Sequence, residues 1–71
     1  MTKEIFLEKL GSKIRKIRKE KNLSLDKLAA LCDYEKANLS RIESGKTNTT
    51  IVTLHTISRV MDVPLCDFFK D

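Results

Sequence analysis

Residues 24–45 read SLDKLAALCDYEKANLSRIESG, and the fold turns on this stretch. It opens with Ser24, whose hydroxyl can accept a hydrogen bond from an unpaired amide of a first helical turn. Leu23 and Leu28 flank that cap at N′ and N4, the spacing of a hydrophobic staple, so a short helix entering at Leu25 is specified from both sides. Leu28, Ala29, Leu31 and Cys32 carry it to Asp33, a residue that tolerates the left-handed backbone a chain reversal needs. A second helix follows, with Leu39 and Ile42 as its apolar pair and Lys36, Ala37, Ser40, Arg41 and Ser44 over the opposite side. Gly45 stops it. Two short helices joined by a tight turn cannot bury their apolar faces alone. The flanking segments must supply the core and leave one polar helix surface outside.

Upstream, between Ile5 and Lys21, Phe6, Leu10, Ile14 and Ile17 recur at steps of four, four and three, one stripe of an amphipathic helix. Gly11 interrupts the stripe at a cost of about 1 kcal/mol relative to Ala if the helix runs through. Thr2 or Ser12 can cap alternative starts, and Asn22 is the exit, because Asn accepts positive φ. Downstream, GKTNTT is a polar loop, and Thr50 and Thr53 stand at capping positions. Ile51, Leu54, Ile57 and Val60, with Met61 beside them, predict a fourth helix that closes the core over helices one and three, with His55 off its stripe. Asp62 ends it, and Pro64 begins a final short helix, where its missing amide costs nothing. Leu65, Phe68 and Phe69 form that helix's apolar side. Adjacent phenylalanines cannot both point inward, so one of the pair is a candidate self-association surface. The expectation is an all-α, compact five-helix bundle forming a single domain over residues 1–71.

Composition suits that reading. The 71 residues are 41% hydrophobic and 34% charged, with one Pro and two Gly, a compact helical chain near the lower size limit for a single apolar core. No secretory h-region or membrane-spanning run is present, which predicts a cytoplasmic protein with no membrane partner. Cys32 and Cys66 are far apart and lack histidine neighbours, so no metal site is expected and both are read as reduced thiols in or near the core. With one His and no nucleophile, phosphate-loop or paired-carboxylate pattern, an enzyme is not expected. The net charge of +4 is unevenly placed: residues 1–21 hold eight Lys or Arg against three Glu, and the rest of the chain is nearly balanced. Such a basic first helix supplies a long-range field that draws in a polyanion, although its outermost lysines also suit a plain solvated face.

LSLDKLAALCD, NLSRIESGK and TLHTISRVMDVPLCDFF together resemble the helix-turn-helix domains of the Cro/Xre group of bacterial and phage repressors, the lambda-repressor-like fold. The resemblance runs from about Leu10 to Phe69 and rests on several signals in order: Leu-Ser before helix two, Leu-Ala inside it, Leu-Ser-x-Ile-Glu-x-Gly closing helix three, and Thr-Leu opening the next helix. It implies helices two and three as the helix-turn-helix.

In such motifs the second helix enters the major groove and its N-terminal part meets base edges. Here that part is Glu35, Lys36, Ala37 and Asn38, with Ser40 and Arg41 one turn on. Lys36 and Arg41 can donate to guanine O6 and N7, Glu35 can accept from a cytosine amine, Ala37 can lie against a thymine methyl, and Ser40 suits a base or a phosphate. A solvated helix face is the competing reading of Lys36 and Arg41. The resemblance implies base contacts at Lys36, Ala37, Ser40 and Arg41, with Glu35 at the helix start, and phosphate contacts around Ser24, Asn38, Ser44, Lys46, Thr47 and Asn48. It also implies a structural ion pair between Arg18 and Glu43. Four positions depart from the family pattern. Leu25 replaces a DNA-touching Gln, Asp33 the usual turn Gly, Glu35 a Ser or Thr cap, and Thr49 a Pro. The expected function is a sequence-specific transcriptional regulator that binds double-stranded DNA at a two-fold operator as a homodimer, with no cofactor or small-molecule ligand. A protein-interaction module that uses the same fold without specific DNA binding is the alternative.

Overall fold

Thr2, one of the two caps left open by the sequence, starts the first helix by accepting the Ile5 N–H on its hydroxyl at 3.1 Å. The computed structural model describes residues 1–70 and places four α-helices in them: α1 (Lys3–Glu20), α2 (Leu25–Cys32), α3 (Lys36–Glu43) and α4 (Ile51–Met61). A 3-10 helix, Leu65–Phe69, follows. The expected fifth α-helix is therefore a tighter five-residue turn. Pro64 precedes it in an extended conformation and is not its first helical residue, and a segment this short favours i→i+3 bonding.

All four helices end by one device. Asn22, Asp33, Gly45 and Asp62 take positive φ between 57° and 75°. The amide of the next residue then bonds back to the carbonyl five positions earlier: Leu23 to Arg18 (3.1 Å), Tyr34 to Ala29 (2.9 Å), Lys46 to Arg41 (2.9 Å) and Val63 to Ser58 (3.0 Å). This is the Schellman arrangement, and after three of the helices an apolar or aromatic residue, Leu23, Tyr34 or Val63, folds back onto the core behind it.

Leu10, Ile14 and Ile17 of α1, Leu28, Ala29 and Cys32 of α2, Leu39 and Ile42 of α3, Leu54, Ile57 and Met61 of α4, and Phe68 form one core. α1 lies across α3, α2 packs on both α3 and α4, and the 3-10 helix bridges α1 and α4. α4 thus covers α2, where the sequence predicted helices one and three. Its buried row is Leu54, Ile57, Ser58 and Met61, while Ile51 is 61% exposed. Steps of three drift about 60° per step around a helix, so a residue two steps before Ile57 has already rotated off its face. Ser58 is buried without cost to polarity, because its hydroxyl donates to the His55 carbonyl at 2.8 Å.

One further expectation changes, that for Cys66, and the phenylalanine pair divides as expected. Cys32 is buried, and burial pushes its thiol pKa up, but Cys66 is exposed on the 3-10 helix and not near the core. Of the phenylalanine pair, Phe68 is buried and Phe69 is half exposed, stacked on an equally exposed Phe6. Among the described residues no helix is long and apolar enough to cross a membrane.

Candidate nucleic-acid interface

Leu39 and Ile42 are the buried side of α3, and they fix which way its other residues face. Lys36, Ala37, Asn38, Ser40 and Arg41 are all exposed, as is Glu35 before them. The helix is held against α1 by close backbone contact. A Cβ on Gly11 would run into the Ile42 carbonyl oxygen and lie 2.5 Å from that of Glu43, so only Gly lets α1 approach this closely.

Beside that contact, Arg18 and Glu43 meet in a two-pronged pair. Arg18 Nε donates to Glu43 Oε2 at 2.7 Å and Nη2 to Oε1 at 3.0 Å, with both side chains at least nine-tenths shielded. The third nitrogen, Nη1, donates to the Leu23 carbonyl at 2.8 Å. One guanidinium thereby ties the end of α1, the turn that leads into α2 and the end of α3 together. None of this touches solvent-facing chemistry; it sets the angle of α3.

The exposed side chains differ in what they have left to offer a ligand. Asn38 Oδ1 accepts from Arg41 Nη2, which orients the guanidinium along the helix and leaves the Asn38 amide free to donate. Ser24 Oγ accepts the Lys27 N–H at 3.0 Å as the cap of α2, so its own proton stays available. Ser44 has spent its proton on the Arg41 carbonyl at 3.2 Å and could donate elsewhere only by breaking that bond. Lys36 Nζ lies 3.2 Å from Asp26 of α2, an exposed pair that water and salt weaken. Glu35 caps α3 with no side-chain hydrogen bond, leaving the first amides of the helix open. Lys46 and Asn48 are exposed and Thr47 is partly so, in the loop that follows α3.

Tyr34, not singled out in the sequence, lines a shallow recess beside α3 together with Asn38, Thr47, Asn48 and Thr50. Its position between the positive-φ turn residue Asp33 and the start of α3 was the available signal. The result is a polar face built from the start of α2, the outer side of α3 and the loop after it. It is rich in donors and carries two cationic side chains on α3 itself. Such a face can grip phosphates at its edges and read base edges at its middle. Among the described residues there is no group of three or more His, Cys, Asp or Glu that could hold a metal ion.

A helix-turn-helix family model matches residues 14–68. The chain is 39% identical over 64 residues to the control protein C.MunI of a Mycoplasma species, covering 89% of this chain and 86% of that one. Its structure is similar to that of the restriction-modification controller protein C.AhdI from Aeromonas hydrophila, with a TM-score of 0.86 at 27% identity over 89% of this chain and 96% of that one. It is also similar to SinR, a master regulator of biofilm formation crystallised in complex with DNA, with a TM-score of 0.78 at 37% identity over 86% and 98% of the two chains.

Proposed function

Because this chain belongs to the Cro/Xre-type helix-turn-helix family of DNA-binding transcriptional regulators, we propose that it acts as a homodimeric, cytoplasmic repressor or controller that recognises a two-fold symmetric operator through α3. The observation that carries this reading is the exposed row Lys36, Ala37, Ser40 and Arg41 on a helix whose angle is set by Gly11 and the Arg18–Glu43 pair. A helix presented this way fits the major groove with its first turns against base edges.

In this reading Lys36 and Arg41 donate to guanines, Ala37 packs on a thymine methyl, Ser40 contacts a base or a backbone oxygen, and Glu35 accepts from a cytosine or repels the wrong sequence. Phosphates are held by Ser24, Asn38, Lys46, Thr47 and Asn48. Ser44 is the weakest of the expected contacts, given its bond to Arg41. Two copies related by a two-fold axis place their α3 helices in successive major grooves, about 34 Å apart along the duplex. Sites selected from random duplex DNA should therefore be inverted repeats with half-site centres about 10 base pairs apart. Lys36→Ala and Arg41→Ala should each relax preference at one base pair per half-site, by about 1–3 kcal/mol. Selection that yields no inverted repeat, or identical preferences for both variants and the parent, would refute the reading.

A further inference from the structure

α1 has a second worked surface, on the side turned away from α3. Gly11 and Arg18 face α3, while Lys9, Lys13 and Lys16 stand roughly 140–200° round the helix from Gly11. Between these lysines and the 3-10 helix runs an open groove of about 680 Å3. Its floor is apolar. Ile5 and Phe6 are each 46% exposed and Phe69 48%, with the Phe6 and Phe69 rings stacked, centroids 6.3 Å apart and planes 15° from parallel. Water-facing aromatic surface of this kind is unfavourable unless something covers it.

The rim says what that something is. Lys9, Lys13 and Lys16 line the groove, and Glu8 is the carboxylate against them. Lys70, also at the rim, already has its carboxylate partner in Asp67 at 3.0 Å. A second copy would bring the same lysines against these, and like charges set face to face repel. A phosphate backbone would gain from the lysines and nothing from the stacked rings.

We infer that this groove docks a segment of another protein that presents an apolar ridge flanked by carboxylates. Lysine stems lie along such a ridge while their ammonium groups reach the acids beside it, and the aromatic pair is the anchor. The site lies across α1 from the α3 face, so the partner binds whether or not DNA is present.

The test uses the full chain, isotope-labelled for NMR, and two synthetic amphipathic peptides: one with Leu along one helical face and Glu flanking it, the other with Lys in place of every Glu. The Glu peptide should shift amide signals of Ile5, Phe6, Lys9, Lys13 and Phe69 and leave those of α3 in place. Phe69→Ala and Lys13→Glu should each weaken it by about tenfold or more, whereas Lys19→Glu should change it less than about twofold. Phe69 and Lys13 lie outside the buried core, and the amide dispersion of each variant reports that its fold is kept. Equal binding of both peptides, shifts centred elsewhere, or indifference to Phe69→Ala overturns the proposal. So do groove signals that move with protein concentration alone, which would make a second copy the occupant.

Discussion

Arg18 bonds Glu43 twice and the Leu23 carbonyl once, so removing either partner leaves a shielded charge without compensation. Arg18→Ala or Glu43→Ala should lower unfolding free energy by about 3–5 kcal/mol in urea titrations. Arg18→Lys should recover only part of that loss, because an ammonium cannot span both carboxylate oxygens and the carbonyl together. Gly11 gives a sharper sign. Helix propensity alone predicts that Gly11→Ala gains about 1 kcal/mol. The added methyl would meet backbone carbonyls of α3, which cannot swing aside as a side chain could, so the variant should instead unfold at lower urea. A raised midpoint would mean that the α1–α3 contact is looser than the structure shows.

At the scale of the element, the shared ending of the four helices explains how so short a chain turns four times with so few glycines. Asn and Asp take the left-handed position at three of the four ends, at an energetic cost that Gly avoids. Asp33→Gly should therefore raise stability, by about 1 kcal/mol, since Gly takes the φ of 59° at that turn without the steric cost that a Cβ carries. Thermal unfolding of the variant checks this, and a lowered midpoint would show that the Asp carboxylate contributes something the geometry does not reveal. The capping residues Thr2, Ser24 and Thr50 each accept an amide three residues on, so three of the four α-helix starts are fixed by local chemistry. α3 is the exception: Glu35 makes no such bond, which leaves its first amides open on the face proposed to meet DNA.

For the whole molecule, the proposed operator complex should be dominated by electrostatics. The slope of log affinity against log salt reports how many phosphates are neutralised, at about 0.9 per contact on duplex DNA. Lys46→Ala should lower the magnitude of that slope by about one and leave the selected base sequence unchanged. An altered sequence preference would move Lys46 from the backbone to the base edges. The basic α1 does not join the α3 face. Lys9, Lys13 and Lys16 lie on its far side, so much of the positive charge serves attraction at a distance or the groove beside Phe69.

Local chemistry alone fixed where all four α-helices end and where three of them begin. Ser24, Thr50, Asn22, Asp33, Gly45 and Asp62 act on backbone groups within a few residues of themselves, and such effects are written in short spans of sequence. The outward face of α3 followed as well, because Leu39 and Ile42 had to turn inward. Tertiary packing decided which helices touch. It set α4 on α2, exposed Ile51 and Cys66, and chose Phe68 over Phe69 for the core, since an apolar stripe states that a face must be buried without naming its partner. It likewise turned Gly11 from an apparent flaw in a helix into the point where two backbones meet, a requirement set by a carbonyl thirty-odd residues away in the chain.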